Sequence, residues 1–468
     1  MKKITAAVFV SILVIAQSWR SYSFEVETHK ELSQQAVLSS SLDDFLKTQL
    51  NFPGGVDHSL AGRKIIDRIS DGSVFEDAGL RFFNHFHNPL RSWNGAGLLG
   101  LSTSSIIWGQ DPAQAFAWQN ARDDYFNGLT ASTQGEREDH LAGAFRALGQ
   151  LIHLVQDAAQ PAHTRNDPHP IAKGFEGYVE NVRITDQVLF NSWINSSLGF
   201  DQTILTLLPN PSAPIPIARI IDTTDPAQTS ASPSAGTNQG IAEYSNANFL
   251  SWDTIFKDFT FPRVESLGTP VDEIEPVTNK PRRYFPKVAD GDTGYRLVAE
   301  GTFSETLESL LAGDQGYILD RGVFEDYGTK LLPRAIGYSA GLIDYFFRAI
   351  AEFNSNDEAC QYNLTTDTLT EMDVFVVPFA SVENAGEGQL IAVIEFPLPN
   401  PTSIIVSEPM QVNLSSNKLL GLNFNFSDGS LPENVSGVTY VVYKGPFGQE
   451  PEAVIGGPAI EEINGCFR

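Results

Sequence analysis

Arg137-Glu-Asp-His-Leu-Ala-Gly-Ala-Phe-Arg-Ala-Leu-Gly-Gln-Leu-Ile-His-Leu-Val-Gln-Asp-Ala-Ala-Gln160, followed by Pro161-Ala-His163, is the stretch that decides the fold. Leu141, Phe145, Leu148, Ile152 and Val155 recur at steps of three and four, which predicts a helix from Arg137 to Gln160 that Pro161 ends. His153 and Asp157 stand four apart, so they share one face, with Gly149 and Gln150 near them. A polar stripe on an otherwise apolar helix is costly to bury unless its groups are bonded or hold a metal. The break at Pro161 lets His163 turn back toward the same place. An exposed His–Asp pair on a surface helix is the plain alternative.

Outward from this helix, residues 24 to about 195 read as mainly helical. Thr28-His-Lys-Glu31 has the form of a capping box opening a helix toward Leu38, and 61–69 and 113–125 are further helical candidates. Helix returns over 303–311 and 327–353. Between them, 205–238 carries Pro209, Pro211, Pro214 and Pro216 and then a Ser/Thr/Gly-rich run, which reads as a surface loop or cap. After Cys360 the period changes. Short runs at 374–377, 390–396, 404–406, 419–426 and 438–443 are rich in β-branched and aromatic residues and are separated by turn formers. The expected architecture is therefore multidomain α plus β. A helical domain over 24–355, with 205–238 inserted, precedes a small C-terminal β-sandwich over 366–468.

Composition limits the functions open to this fold. The 468 residues are 42% hydrophobic and 19% charged, and Lys+Arg 31 against Asp+Glu 57 gives a net charge of -26. So acidic a chain argues against duplex nucleic acid as partner and against electrostatic adsorption to anionic membranes, while peripheral membrane contact stays compatible. Lys2 and Lys3 before the apolar run Ile4 to Ala16, then Ser21-Tyr-Ser23, form a signal peptide over 1–23 with cleavage expected before Phe24. That predicts a secreted or periplasmic protein. An uncleaved anchor is the alternative, though the run is short for a span. In an exported chain the two cysteines, Cys360 and Cys466, are expected to pair in a disulfide, with free thiols as the alternative.

All eight histidines lie between positions 29 and 169. Confinement of the commonest metal-binding side chain to one helical region raises a metal hypothesis. Besides His153, Asp157 and His163, three pieces stand out. Asp77 precedes Asn84-His85-Phe86-His87-Asn88-Pro89, Phe24 would become a free amino terminus five residues before His29, and His169 precedes Glu176. His58, His87 and His140 read as ordinary surface or supporting histidines.

Taken in order, Phe24-x4-His29, Asp77, Asn84-His85-Phe86, His153-x3-Asp157-x5-His163, then His169 and Glu176 resemble the zinc-dependent phospholipase C and single-strand nuclease superfamily. His85-Phe86-x-Asn88-Pro89 leans toward the phospholipase branch. The resemblance implies an all-α domain with three Zn2+ ions. Asp77, His85, His153 and Asp157 would hold one. Phe24, through its amine and carbonyl, would hold the second with His29 and a bridging Asp157. His163, His169 and Glu176 would hold the third. Two positions depart from the family pattern: Phe24 stands where the family has Trp, and Ala172 occupies the site four before the acid, leaving Glu180 as an alternative ligand.

Such a cluster suits phosphodiesters, whose negative charge repels nucleophiles until metal ions neutralise it and acidify a bound water. By the resemblance, Asp77 would orient or deprotonate that water. A zinc-dependent phospholipase C cleaving phospholipid headgroups is the first reading. A single-strand nuclease is the second, with Phe82, Phe83, Phe86 and Trp93 as base platforms or else as core. A non-catalytic exported binding protein stabilised by metal is the third.

Overall fold

The computed structural model describes residues 26–168, 174–196, 216–226, 239–275, 278–302, 316–349, 352–353, 362–365, 368–377, 385–396, 403–414, 420–426 and 438–457. The expected signal peptide, Phe24, His169, the helix over 303–311 and both cysteines lie outside them. None of the described helices is long and apolar enough to cross a membrane.

The helical region runs α1 (Val26–Ser39), α2 (Leu42–Thr48), a short hairpin β1 (Ser59–Leu60) with β2 (Arg63–Lys64), α3 (Ile65–Glu76), α4 (Ser105–Gln110), α5 (Trp118–Leu129) and α6 (Gln134–Asp157). It continues through α7 (Pro161–Thr164), α8 (Phe175–Thr185), α9 (Gln187–Ile194), α10 (Pro216–Ile221), α11 (Ile241–Asn248) and α12 (Arg321–Phe346). Helix α6 is the axis of the domain. Thr133 caps its start by accepting from the Glu136 N–H, and nearly every residue from Leu141 to Asp157 is buried. It ends at Asp157, and Pro161 opens α7 at the first position, where its missing N–H costs nothing.

One close approach fixes the register of α6 against α3. A Cβ at Gly149 would lie 2.0 Å from the Ile69 carbonyl oxygen, and one at Gly72 would lie 2.2 Å from that of Arg146. Only glycine at both positions lets the backbones pack so tightly. As a result, the face of α6 bearing His153 meets the C-terminal turn of α3, where Ser73, Glu76 and Asp77 lie.

The β-region is antiparallel throughout. β10 (Glu387–Phe396) is central to one sheet, ordered β11 (Ser403–Val406), β10, β14 (Val438–Phe447), β15 (Glu450–Gly456), with β12 (Met410–Asn413) also on β10. The second sheet places β9 (Thr368–Val377) beside β13 (Leu420–Asn425), β7 (Glu352–Phe353) and β8 (Tyr362–Thr365). Leu390, Ala392 and Ile394 of β10 pack with Phe424 of β13, so the two sheets share a core as a sandwich does. The intervening Ile391 and Val393 join the core of the helical region instead. A strand buried on both faces explains why Leu390 to Ile394 reads as one apolar run.

Several expectations change. Thr28 does not cap α1: the helix already runs from Val26, and the Thr28 hydroxyl donates to Glu180 Oε2 at 2.8 Å. The stretch 61–69 opens as a hairpin turn, with Ala61 and Gly62 at φ 45 and 78, before α3 begins. Residues 216–226, inside the supposed surface excursion, form α10 and a buried turn. Ala218, Ile220 and Ile221 are fully buried because α10 packs against α6 and α12. The sequence reading also missed an antiparallel sheet of β3 (Val271–Glu275), β4 (Lys280–Pro286), β5 (Arg296–Glu300) and β6 (Tyr317–Ile318) within the helical region. Most of β3 faces solvent and carries charges, so it lacks the apolar alternation that marks a strand.

Candidate metal centre

The C-terminal turn of α3, the segment after it and the last turns of α6 bring four donors together. His85 Nδ1 lies 2.8 Å from Asp157 Oδ2, His153 Nε2 lies 3.0 Å from the same oxygen, and the two nitrogens are 3.2 Å apart. Asp77 Oδ1 closes the group at 3.7 Å from His85 Nδ1 and 3.6 Å from His153 Nε2. Tetrahedral coordination with bonds of about 2.0–2.1 Å gives donor-to-donor edges of about 3.3 Å, so His85, His153 and Asp157 are spaced to share one cation, with Asp77 beside both imidazoles. His85, His153 and Asp157 are fully buried, whereas the Asp77 side chain keeps 11% of its surface exposed.

The other oxygen of Asp157 faces elsewhere. His29 Nε2 stands 3.3 Å from Asp157 Oδ1, and the His29 ring stacks on His153 with centroids 3.9 Å apart. His29, Asp77 and His153 also lie close enough for one ion. On the third side, His163 Nδ1 is 3.7 Å from Asp157 Oδ2, while His163 Nε2 is 3.1 Å from Glu176 Oε1. Phe86 stacks flat on His163 at 4.4 Å and holds that ring in place. Of the expected ligands, the structure thus gathers His29, His85, His153 and His163 around the Asp157 carboxylate, with Asp77 beside His85 and His153 and Glu176 beside His163. Glu180 is engaged by Arg183 and Thr28.

Three of the four imidazoles have a polar group behind them. His153 Nδ1 lies 2.8 Å from the Ser73 carbonyl and His29 Nδ1 lies 2.6 Å from Gln156 Oε1; both partners accept an N–H. His85 Nε2 faces Glu76 Oε1 at 3.8 Å. Glu76 is itself fixed by Arg81, at 2.5 Å, and by the Trp108 indole N–H, at 2.8 Å. Protons held on the outer nitrogens leave the inner ones as lone-pair donors, as a metal requires. Ser73, Glu76 and Gln156 are supporting residues that the sequence reading did not assign. Glu76 and Gln156 adjoin Asp77 and Asp157 in sequence, which is the signal that was there to use.

Electrostatics point the same way. Burial alone would raise the Asp157 carboxyl, yet the imidazoles of His153, His163 and His85 hold it well below the usual carboxylate range. Burial opposes charge on His85, but Asp157 outweighs it and, with Glu76 and Asp77, raises the imidazole from 6.5 to about 10. Burial and the neighbouring His29 lower His153. Without a metal, the cluster gathers positive charge as protons. Neither Asp157 oxygen has a well-aligned hydrogen-bond partner.

The remaining histidines fall outside the cluster. His87 Nε2 meets the buried Asp222 Oδ2 at 2.8 Å, and the Trp93 indole N–H donates to the same oxygen at 2.9 Å. His58 stacks on Phe52, and His140 pairs with Asp124 at the surface. Of the residues considered as base platforms, Phe82, Phe86 and Trp93 are at most 7% exposed and belong to the packing, while Phe83 is partly exposed. A small cleft beside Glu176, lined by Gln160, Asp167, Ser251 and Trp252, opens next to the cluster.

No protein-family model matches this sequence, and no curated protein matches it either. Among solved structures, the chain is similar to the alpha-toxin of Clostridium perfringens from avian strain SWCP. The match has 11% identity over 92% of this chain and 96% of that one, with a TM-score of 0.27. It is also similar to the alpha toxin of Clostridium absonum, with 13% identity, the same coverage of 92% and 96%, and a TM-score of 0.29. The overlays are loose, and the chemistry below rests on this chain's own residues.

Proposed function

We propose that the protein is an exported zinc-dependent phosphodiester hydrolase of phospholipase C type. The observation that carries the proposal is the buried trio of His85 Nδ1, His153 Nε2 and Asp157 Oδ2, 2.8 to 3.2 Å apart, with Asp77 Oδ1 at 3.6 to 3.7 Å from the two imidazoles. Imidazole and carboxylate suit zinc, and the order of these residues along the chain is that of the superfamily they resemble.

His85, His153, Asp157 and Asp77 would hold one zinc. His29 with Asp157 and the terminal Phe24 would hold the second, and His163, Glu176 and His169 the third. Zinc would supply positive charge for the phosphate and a water acidified toward ~7. The protein's own residues do the rest. Asp157 would contribute to both of the first two sites. Ser73 and Gln156 would fix His153 and His29 in the ligating tautomer, and the Glu76 carboxylate faces the outer nitrogen of His85. Asp77, the most exposed of the four donors, orients the attacking water and takes its proton. Phospholipid is preferred over single-stranded nucleic acid because three of the four aromatic residues considered as base platforms are buried, leaving Phe83 alone of them partly exposed.

Purified protein assayed for release of the phosphorylated headgroup from phosphatidylcholine, and in parallel for digestion of single-stranded DNA, tests the reading. Headgroup release that a chelator abolishes and zinc restores is the expected result. DNA digestion alone would make it the nuclease. Bound zinc with neither activity would leave a non-catalytic binding protein.

A further inference from the structure

Within the run His85-Phe86-His87, the metal centre leaves His87 unused, and the partner of that ring comes from a distant part of the chain. His87 is 1% exposed, and Asp222, just past the end of α10, is fully buried. His87 Nε2 lies 2.8 Å from Asp222 Oδ2, so a hydrogen bond joins them whichever one carries the proton. His87 Nδ1 has no hydrogen-bond partner among the described residues, which leaves Asp222 to orient the ring.

Asp222 is itself a fixed point. Helix α10 packs against α4, α6, α11 and α12. Asp222 Oδ2 also accepts the Trp93 indole N–H at 2.9 Å, and Oδ1 accepts the Thr224 N–H at 3.1 Å. The adjoining Thr223 N–H donates to Glu243 Oε2 at 2.9 Å and ties the turn to α11. The main chain of His87 makes a separate link. Its N–H donates to the His163 carbonyl at 3.1 Å. The residue before it, Phe86, stacks on the His163 ring, and the one before that is His85. The His85 and His163 rings stand 6.5 Å apart, each with a nitrogen toward Asp157 Oδ2. A single short segment therefore sets this spacing, and Asp222 grips its third residue.

We propose that Asp222 is a positioning residue for the metal centre: through His87 it holds His85 and His163 at the spacing at which both face Asp157. The proposal rests on the metal-binding reading above. It assigns a task to α10, a buried helix inside the segment whose prolines suggest a surface loop.

The test is the zinc affinity of the folded full chain, read by competition with a chromophoric chelator, beside denaturant unfolding of the metal-free protein. The variants are Asp222→Leu, His87→Phe, the two combined, and His87→Gln, whose amide can still bond Asp222. Asp222→Leu and His87→Phe are each expected to lose about tenfold in zinc affinity. Because both remove one and the same bond, the double variant is expected to lose no more than either alone. His87→Gln is expected to stay near the wild type. Should Asp222→Leu fail to fold, His87→Phe against His87→Gln still decides, since Phe keeps the ring and leaves Asp222 its bonds to Trp93 and Thr224. Unchanged zinc affinity in the folded variants, with only metal-free stability lowered, would overturn the proposal and leave the pair as packing. Additive losses would also overturn it, because Asp222 would then act other than through His87. A wild type that takes up no zinc would sink the metal reading itself, and this proposal with it.

Discussion

Arg122 and Glu450, at the junction of the helical region with the β-sandwich, are as thoroughly buried as His153 and Asp157 at the end of α6, yet the two clusters meet burial in opposite ways. Glu450 accepts the Trp118 indole N–H at 2.8 Å, Arg122 Nε at 2.7 Å and Nη2 at 3.0 Å, and Arg348 Nη1 at 2.8 Å. Arg122 Nη1 also donates to the Phe346 carbonyl at 2.7 Å. Opposite charges meet and every one of these donors points at an acceptor, so the network is closed. Around Asp157, by contrast, four imidazoles converge on one carboxylate whose oxygens no N–H meets squarely. Such an arrangement needs positive charge, which bound protons or a metal ion can supply. Closed networks hold parts together; open ones bind something.

This contrast can be broken by experiment. Asp157→Asn should reduce phosphodiesterase activity by at least about a thousandfold, since several kcal/mol of charge stabilisation depend on the metals it holds. Its zinc content, read by elemental analysis, should fall with it. Full zinc with retained activity would refute the bridging role.

Glu450→Gln should leave zinc content unchanged yet lower unfolding free energy by about 3 kcal/mol, because two arginines lose their buried partner; denaturant titration measures it. The pH response follows with a definite sign. Burial would raise Glu450, but Arg122 and Arg348 hold it below its ordinary 4.5. Its contribution is therefore complete above 4.5 and is lost as pH falls through the lowered value. The wild type should lose this part of its stability in acid, and the Gln variant should show no such loss.

Smaller effects probe how the open cluster is built. Gly149→Ala forces α6 away from the Ile69 carbonyl and should cost about 2 kcal/mol of stability while weakening zinc binding. Glu76→Gln leaves the packing intact and removes the carboxylate behind His85. Zinc affinity, measured by competition with a chromophoric chelator, should fall about tenfold.

The sequence disclosed these regions unequally. His153, Asp157 and His163 lie within eleven residues, so helical periodicity and one proline suffice to place them together. The strands of the sandwich were readable for a similar reason: burial on one or both faces leaves apolar runs. Helix α10 was hidden by the prolines around it, and β3 by the charges on its solvent face. The Arg122–Glu450 pair spans 328 residues, and no local pattern forecasts a contact so distant. Glu76 and Gln156 were visible as neighbours of ligands, but only the packing of α3 on α6 shows that they orient imidazoles.

The most direct test is crystallographic: diffraction from the purified protein, recorded on both sides of the zinc absorption edge. The account predicts an anomalous peak about 2 Å from His85 Nδ1, His153 Nε2 and the Asp157 and Asp77 carboxylates. A map with no anomalous signal there, and a proton or water joining those side chains instead, would contradict it.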